Sequence, residues 1–116
     1  MDGGLNMGLD IRFKTQSPII CPHCGEIVDY ETLDKVNSSG RVWYDFLEDI
    51  NYYVPDEKQT SETPGKYSED MVLSIGQINT LREFLKTHNI YEHRDIDCMA
   101  LKALVDKQSM IVNADW

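Results

Sequence analysis

The sequence predicts a single α+β domain, a small, mostly antiparallel sheet with two or three helices packed on one face. Three observations carry this. Leu9, Ile11 and Phe13 alternate with Asp10, Arg12 and Lys14, the period of a strand with one buried face. Trp43, Phe46, Leu47, Ile50 and Val54 recur at helical spacing, as do Ile75, Ile78, Leu81, Phe84 and Leu85. Two short apolar runs flank a cysteine turn, as the arms of a hairpin do.

The elements follow in order. The first strand runs from Leu9 and is interrupted at Ser17-Pro18. Pro18-Ile19-Ile20 leads into Cys21-Pro22-His23-Cys24-Gly25, and Glu26 to Tyr30 leaves it as a second strand. Asn37-Ser38-Ser39-Gly40 is a polar break. Arg41 to Val54 reads as an amphipathic helix with Asp45, Glu48 and Asp49 on its outer face, ended by Pro55. Residues 55–69 hold no aliphatic side chain and read as a mobile acidic loop with a Pro64-Gly65 turn. Met71 to Leu73 is a short strand. Ser74 caps the helix that follows, and Asn89 stops it. A last helix begins near Asp95, capped by Asp95 or Asp97, with Ile96, Met99, Ala100, Ala103 and Leu104 inward. Met110 to Val112 closes the domain as a strand. Residues 7–116 make one domain, and residues 1–6 read as an upstream remnant, with Met7-Gly8-Leu9 as the natural start.

The chain has 116 residues and 41% hydrophobic content, enough for one core. No run of 18 apolar residues exists, so no membrane span is expected. The first residues lack the basic-then-apolar pattern of a secretory signal, and three cysteines is an odd count. A cytoplasmic location is the expectation, and there paired thiols read as metal ligands or redox groups.

Two cysteines separated by two residues bring both sulfurs within reach of one ion, and Gly25 can take the positive φ such a turn requires. Residues 21–25 resemble the Cys-Pro-X-Cys-Gly half-site of zinc ribbons and rubredoxin-like knuckles. That resemblance implies a zinc ion bound by about four ligands. No second Cys-X-X-Cys follows, so the remaining ligands must come from elsewhere. Cys98 and His93 are the candidates within the chain, giving a Cys21/Cys24/His93/Cys98 site. Alternatively, two copies each give Cys21 and Cys24 and share one ion across a homodimer axis. The ordinary roles remain open: Cys98 as a buried small apolar group, His93 as a surface residue and His88 as a helix C-terminal cation. The same Cys-Pro-His-Cys run resembles the active site of oxidising thioredoxin-fold enzymes, which implies a thiol–disulfide oxidoreductase with His23 stabilising the Cys21 thiolate. The strand-forming Ile27-Val28 after the turn argues against the helix that site needs.

The net charge is −9, and residues 26–70, with twelve acidic and four basic residues, carry −8 of it. Direct nucleic-acid binding is not expected, because phosphate contacts need clustered Lys and Arg. A protein partner with a basic surface is the expected match. Tyr44, Asp45, Glu48, Asp49, Tyr52, Asp56 and Glu57 are its candidate contacts, because aromatics among charges suit protein interfaces. Trp43 is assigned to the core. No glycine-rich phosphate loop, Ser-His-Asp order or His-Glu-X-X-His motif is present, so a non-enzymatic role leads.

The opening Met7-Gly8-Leu9-Asp10-Ile11, the run Trp43-Tyr44-Asp45-Phe46 and the close Ile111 to Trp116 resemble small accessory proteins of bacteriophages and prophages. The resemblance implies an inhibitor of host machinery. Its sharper form is a nucleic-acid mimic that blocks a host defence nuclease, in the manner of anti-CRISPR proteins. A zinc-stabilised structural module and the oxidoreductase stand as alternatives.

Overall fold

Alternation sets the first strand. In a computed structural model, which describes residues 8–116, β1 (Asp10–Ile20) buries Ile11, Phe13 and Thr15 on one face. A long antiparallel partner, β2 (Ile27–Ser39), returns beside it, so the cysteine turn tips a hairpin. On β1's other side lies β4 (Ser109–Asp115), and the two-residue β3 (Met71–Val72) pairs with β4. The sheet order is β2-β1-β4-β3, antiparallel throughout. Among the described residues, three α-helices accompany the sheet: α1 (Trp43–Asp49), α2 (Ile75–Thr87) and α3 (His93–Val105). The α+β class read from the sequence is therefore the observed one. The assignment of residues 1–6, and the start at Met7, lie outside the described residues. Among the described residues, no helix is long and apolar enough to cross a membrane.

One cluster joins sheet to helices. Ile11, Phe13, Met110, Val112 and Ala114 meet Trp43, Phe46 and Leu47 of α1, Ile78, Leu81 and Phe84 of α2, and Ile96, Met99 and Ala100 of α3. Its aromatic centre is tight: the Trp43 ring lies 5.4 Å from Phe13, 5.9 Å from Phe46 and 5.1 Å from Phe84. Trp43 Nε1 donates to Ser38 Oγ at 3.0 Å, and Ser38 donates to Glu92 at 2.6 Å, so the buried indole keeps a polar partner. At α2 the expected cap is a full capping box. Ser74 Oγ accepts from Gln77 N–H at 3.2 Å, and Gln77 Oε1 accepts from Ser74 N–H at 2.9 Å.

Several boundaries differ from expectation. Pro18 does not interrupt β1. Pairing with β4 stops at Gln16, so beyond it β1 has a single neighbour and tolerates a residue without an N–H. The first helix ends at Asp49 instead of Val54, because Asn51 turns the chain at φ 59°. α2 ends at Thr87, before Asn89, and His88 serves as its C-cap. α3 starts at His93 with neither Asp95 nor Asp97 as a cap, and Asp97 instead pairs with Arg82 at 3.0 Å. β4 runs to Asp115 because Asn113 and Asp115 hold Arg12 across the strand pair, each at 2.7 Å.

Candidate functional site

The acidic surface expected around α1 divides into two places. Asp45 and Asp49 are exposed and line a shallow cleft between α1 and α2, beside Thr80, Glu83 and His88. Glu48 lies on the other flank, where the chain beyond the helix builds a separate groove. The turn at Asn51 sends Tyr52 inward and Tyr53 toward that groove. Tyr52 was expected on the binding surface and is instead fully buried. Its hydroxyl donates to the Glu69 carbonyl at 2.6 Å and accepts from the N–H groups of Ala114 at 2.9 Å and Glu69 at 3.1 Å. Those bonds tie the loop to β4. A helix continuing to Val54 would have left Tyr52 outside, so the correction follows from the early helix end.

The loop of residues 55–69 folds over the groove. Pro55 leads into a single 3₁₀ turn at Asp56–Lys58, which holds Asp56 and Glu57 at the rim. Gly65 has a φ of 82° and lies 3.4 Å, at an added Cβ, from the Val54 nitrogen, so only glycine fits there without strain. Lys66 N–H then donates to the Tyr52 carbonyl at 2.6 Å, and Ser68 N–H to Ala114 at 2.7 Å.

Trp116 is the hub of the groove. Its ring lies 4.9 Å from Tyr67, 5.2 Å from Tyr53 and 6.0 Å from Tyr44. Tyr44 packs on Tyr53 at 4.9 Å, and burial raises its phenol above the ordinary value, with Tyr53 adding to the rise and Arg41 opposing it. Tyr67 Oη donates to the Trp116 carbonyl at 3.1 Å. The groove measures about 800 Å³ and is open to water. Glu48, Asp56, Glu57 and Glu69 ring it, with Lys66 as the one cationic side chain among the described lining residues. Trp116, Glu69 and Lys66 escaped the sequence reading, because each reaches the groove through tertiary folding. The pairing of β4 beside β1 and the crossing of the loop have no local signature.

The thiol turn lies at the far end of the hairpin. Gly25 N–H donates to the Cys21 carbonyl at 2.9 Å, and Cys21 N–H to the Glu26 carbonyl at 2.8 Å. Gly25 has the positive φ, 76°, that the motif predicts. The N–H groups of Cys24 and His23 aim at the Cys21 sulfur. With the Cys24 thiol beside it, they hold the Cys21 thiol below its ordinary value, against a small opposing effect of burial. Cys24 is exposed, and its sulfur approaches a Glu26 carboxylate oxygen at 4.0 Å.

His93 and Cys98 do not join this turn. Cys98 is exposed on α3, against Asp34, Lys35 and Val36 of β2. Those residues lie seven or more positions along β2 from the turn, roughly 23 Å at about 3.3 Å per residue. Among the described residues, no group of three or more His, Cys, Asp or Glu could hold a metal ion. The expected Cys21/Cys24/His93/Cys98 site is therefore not assembled within one chain, since α3 packs near the base of the hairpin and the thiols sit at its tip. Nor is Cys98 the buried apolar group of its ordinary reading. His88 sits at the C-terminal end of α2, with Nδ1 3.0 Å from the Phe84 carbonyl. Cys24 lies in a turn followed by a strand, not in the helix an oxidising thioredoxin-type motif needs.

Comparison with known protein families, curated proteins and solved structures returned no match.

Proposed function

We propose that the protein is a non-enzymatic binding module that captures a basic segment of a protein partner in the groove around Trp116. The observation that carries this reading is the aromatic set Tyr53, Tyr67 and Trp116 inside a ring of four carboxylates. A Lys or Arg side chain laid over those rings gains a cation–π attraction of about 0.5–1 kcal/mol at an exposed site, and more when desolvated. The carboxylates steer the cation in and penalise acidic competitors. Asp45 and Asp49 extend the negative field around α1 without lining the groove.

The resemblance to phage accessory proteins extends this reading to a host partner whose basic surface normally holds nucleic acid, such as a defence nuclease. In that form the ring of carboxylates occupies the place of phosphates, and duplex DNA would compete with the protein for its partner.

The test is affinity for a Lys/Arg-rich peptide, measured by calorimetry at two salt concentrations. Binding should weaken at least tenfold in Trp116→Ala, and at least tenfold again in the charge-reversed pair Glu48→Lys/Glu57→Lys. Raising the salt should weaken the native chain and leave the reversed pair nearly unaffected. Equal affinity for an acidic peptide would sink the proposal.

A further inference from the structure

The hairpin tip is a second, independent site, and it does not rest on the groove. Beyond Gln16 the sheet narrows to two strands, and residues 18–33 are exposed except for the half-buried Cys21. A two-stranded ribbon with both faces in water is marginal by itself. Yet this one carries Ile19, Ile20, Ile27, Val28, Tyr30 and Leu33 into solvent, with Val28 62% and Ile27 53% exposed. Leu33 and Val28 each lie at a register shift, where β2 has one residue more than β1. Exposed apolar residues gathered in one place mark a surface that something covers.

The turn itself is built as half of a tetrahedral thiolate site. Cys21 and Cys24 flank a loop closed by Gly25 N–H on the Cys21 carbonyl and Cys21 N–H on the Glu26 carbonyl, with Gly25 at φ 76°. Two ligands are missing, and among the described residues nothing in the chain supplies a third. A second copy of the same turn supplies both at once. The charge of the tip lies on its β2 side, in Glu26, Asp29 and Glu31, and a bound divalent cation would offset their repulsion between two copies. Residues 16–25 contain no Asp, Glu, Lys or Arg.

We propose that two copies join through their hairpin tips, sharing one zinc ion between Cys21 and Cys24 of each. The ion displaces the four thiol protons, which pass to solvent, and the Ile20, Ile27 and Val28 side chains close around the joined turns. His23 lies within the turn and is not a ligand.

The test uses the full chain, kept reduced and titrated with zinc, followed by sedimentation and native mass spectrometry. The expected result is a dimer holding one zinc per two chains, with at least a hundredfold loss of dimer affinity on adding a chelator. The double variant Cys21→Ser/Cys24→Ser should stay monomeric and zinc-free, and His23→Ala should still dimerise. Alkylation of the native chain gives a second reading that needs no variant. Zinc should protect Cys21 and Cys24 while the exposed Cys98 stays reactive. One zinc per monomer, no zinc uptake, a dimer that survives the chelator or the double variant, or loss of zinc in His23→Ala would each overturn the proposal.

Discussion

Tyr52 does at residue scale what no neighbour can replace. Its side chain is fully buried, and its hydroxyl serves the N–H groups of Ala114 and Glu69 and the Glu69 carbonyl. Tyr52→Phe leaves those groups short of partners, so urea unfolding should show a loss of about 1–3 kcal/mol. Thr15 is the opposite case. It is fully buried, and among the described residues its hydroxyl has no partner. Thr15→Val keeps the shape and removes the orphan, so stability should hold or rise by up to about 1 kcal/mol. A loss beyond 1 kcal/mol would reveal an unseen partner. Asp70 carries the pH dependence. Its carboxylate accepts from Asn113 at 3.0 Å and Lys14 at 3.3 Å, and these hold its pKa below the ordinary value, chiefly through Asn113. The folded value is lower than the unfolded one. Its contribution is therefore complete above the ordinary carboxylate range and disappears as pH falls through the lowered value. The stability gap between the native chain and Asp70→Asn should close as the solution is acidified below about pH 4, where the unfolded carboxylate takes up its proton.

Elements differ in how much of them the sequence declares. The two longer helices were legible because their apolar residues keep one period, and Ser74 marks the start of α2 with a capping box. The first helix was over-read by two residues at its start and five at its end. Val54 falls inward as its spacing predicts, and Tyr52 falls inward against it, but both are buried by a turn at Asn51 and not by a helix. The hairpin arm was legible only at its tip, through the cysteine and glycine spacing. Its length was hidden because β2 has no alternation between Ile27 and Leu33, both faces being wet. The groove was half legible: composition marked Glu48, Asp56 and Glu57, while Trp116 arrives from β4, far along the chain. The arm also makes an element-level prediction. Replacing residues 18–30 with Asn-Gly should leave the core folded, with a melting temperature within a few degrees of the native chain, since only two strands are shortened. A collapse of cooperative melting would show that the arm supports the core.

At the scale of the whole molecule, two features oppose each other. The radius of gyration, 15.6 Å, exceeds the roughly 13 Å of a compact chain this size, and the projecting arm accounts for the excess. The acid-rich middle of the chain places Glu48, Asp56 and Glu57 around the groove, while the thiols of Cys21 and Cys24 sit at the tip of the arm. The molecule thus presents one surface suited to cations and another suited to a thiophilic metal and a second copy. Affinity for a basic partner should fall steeply between low and physiological salt, while zinc-dependent dimer formation should respond much less. Light scattering and calorimetry over the same salt series separate the two.

The central claim is that the Trp116 groove receives a basic segment. Amide and indole NMR shifts of the full chain, followed during titration with a Lys/Arg-rich peptide, test it most directly. The account predicts saturable shifts at the Trp116 indole and at Glu48, Tyr53, Glu57 and Tyr67, with the buried Trp43 indole and the hairpin tip unmoved. Shifts confined to the tip or to the α1–α2 cleft, or none at Trp116 at saturating peptide, would contradict it.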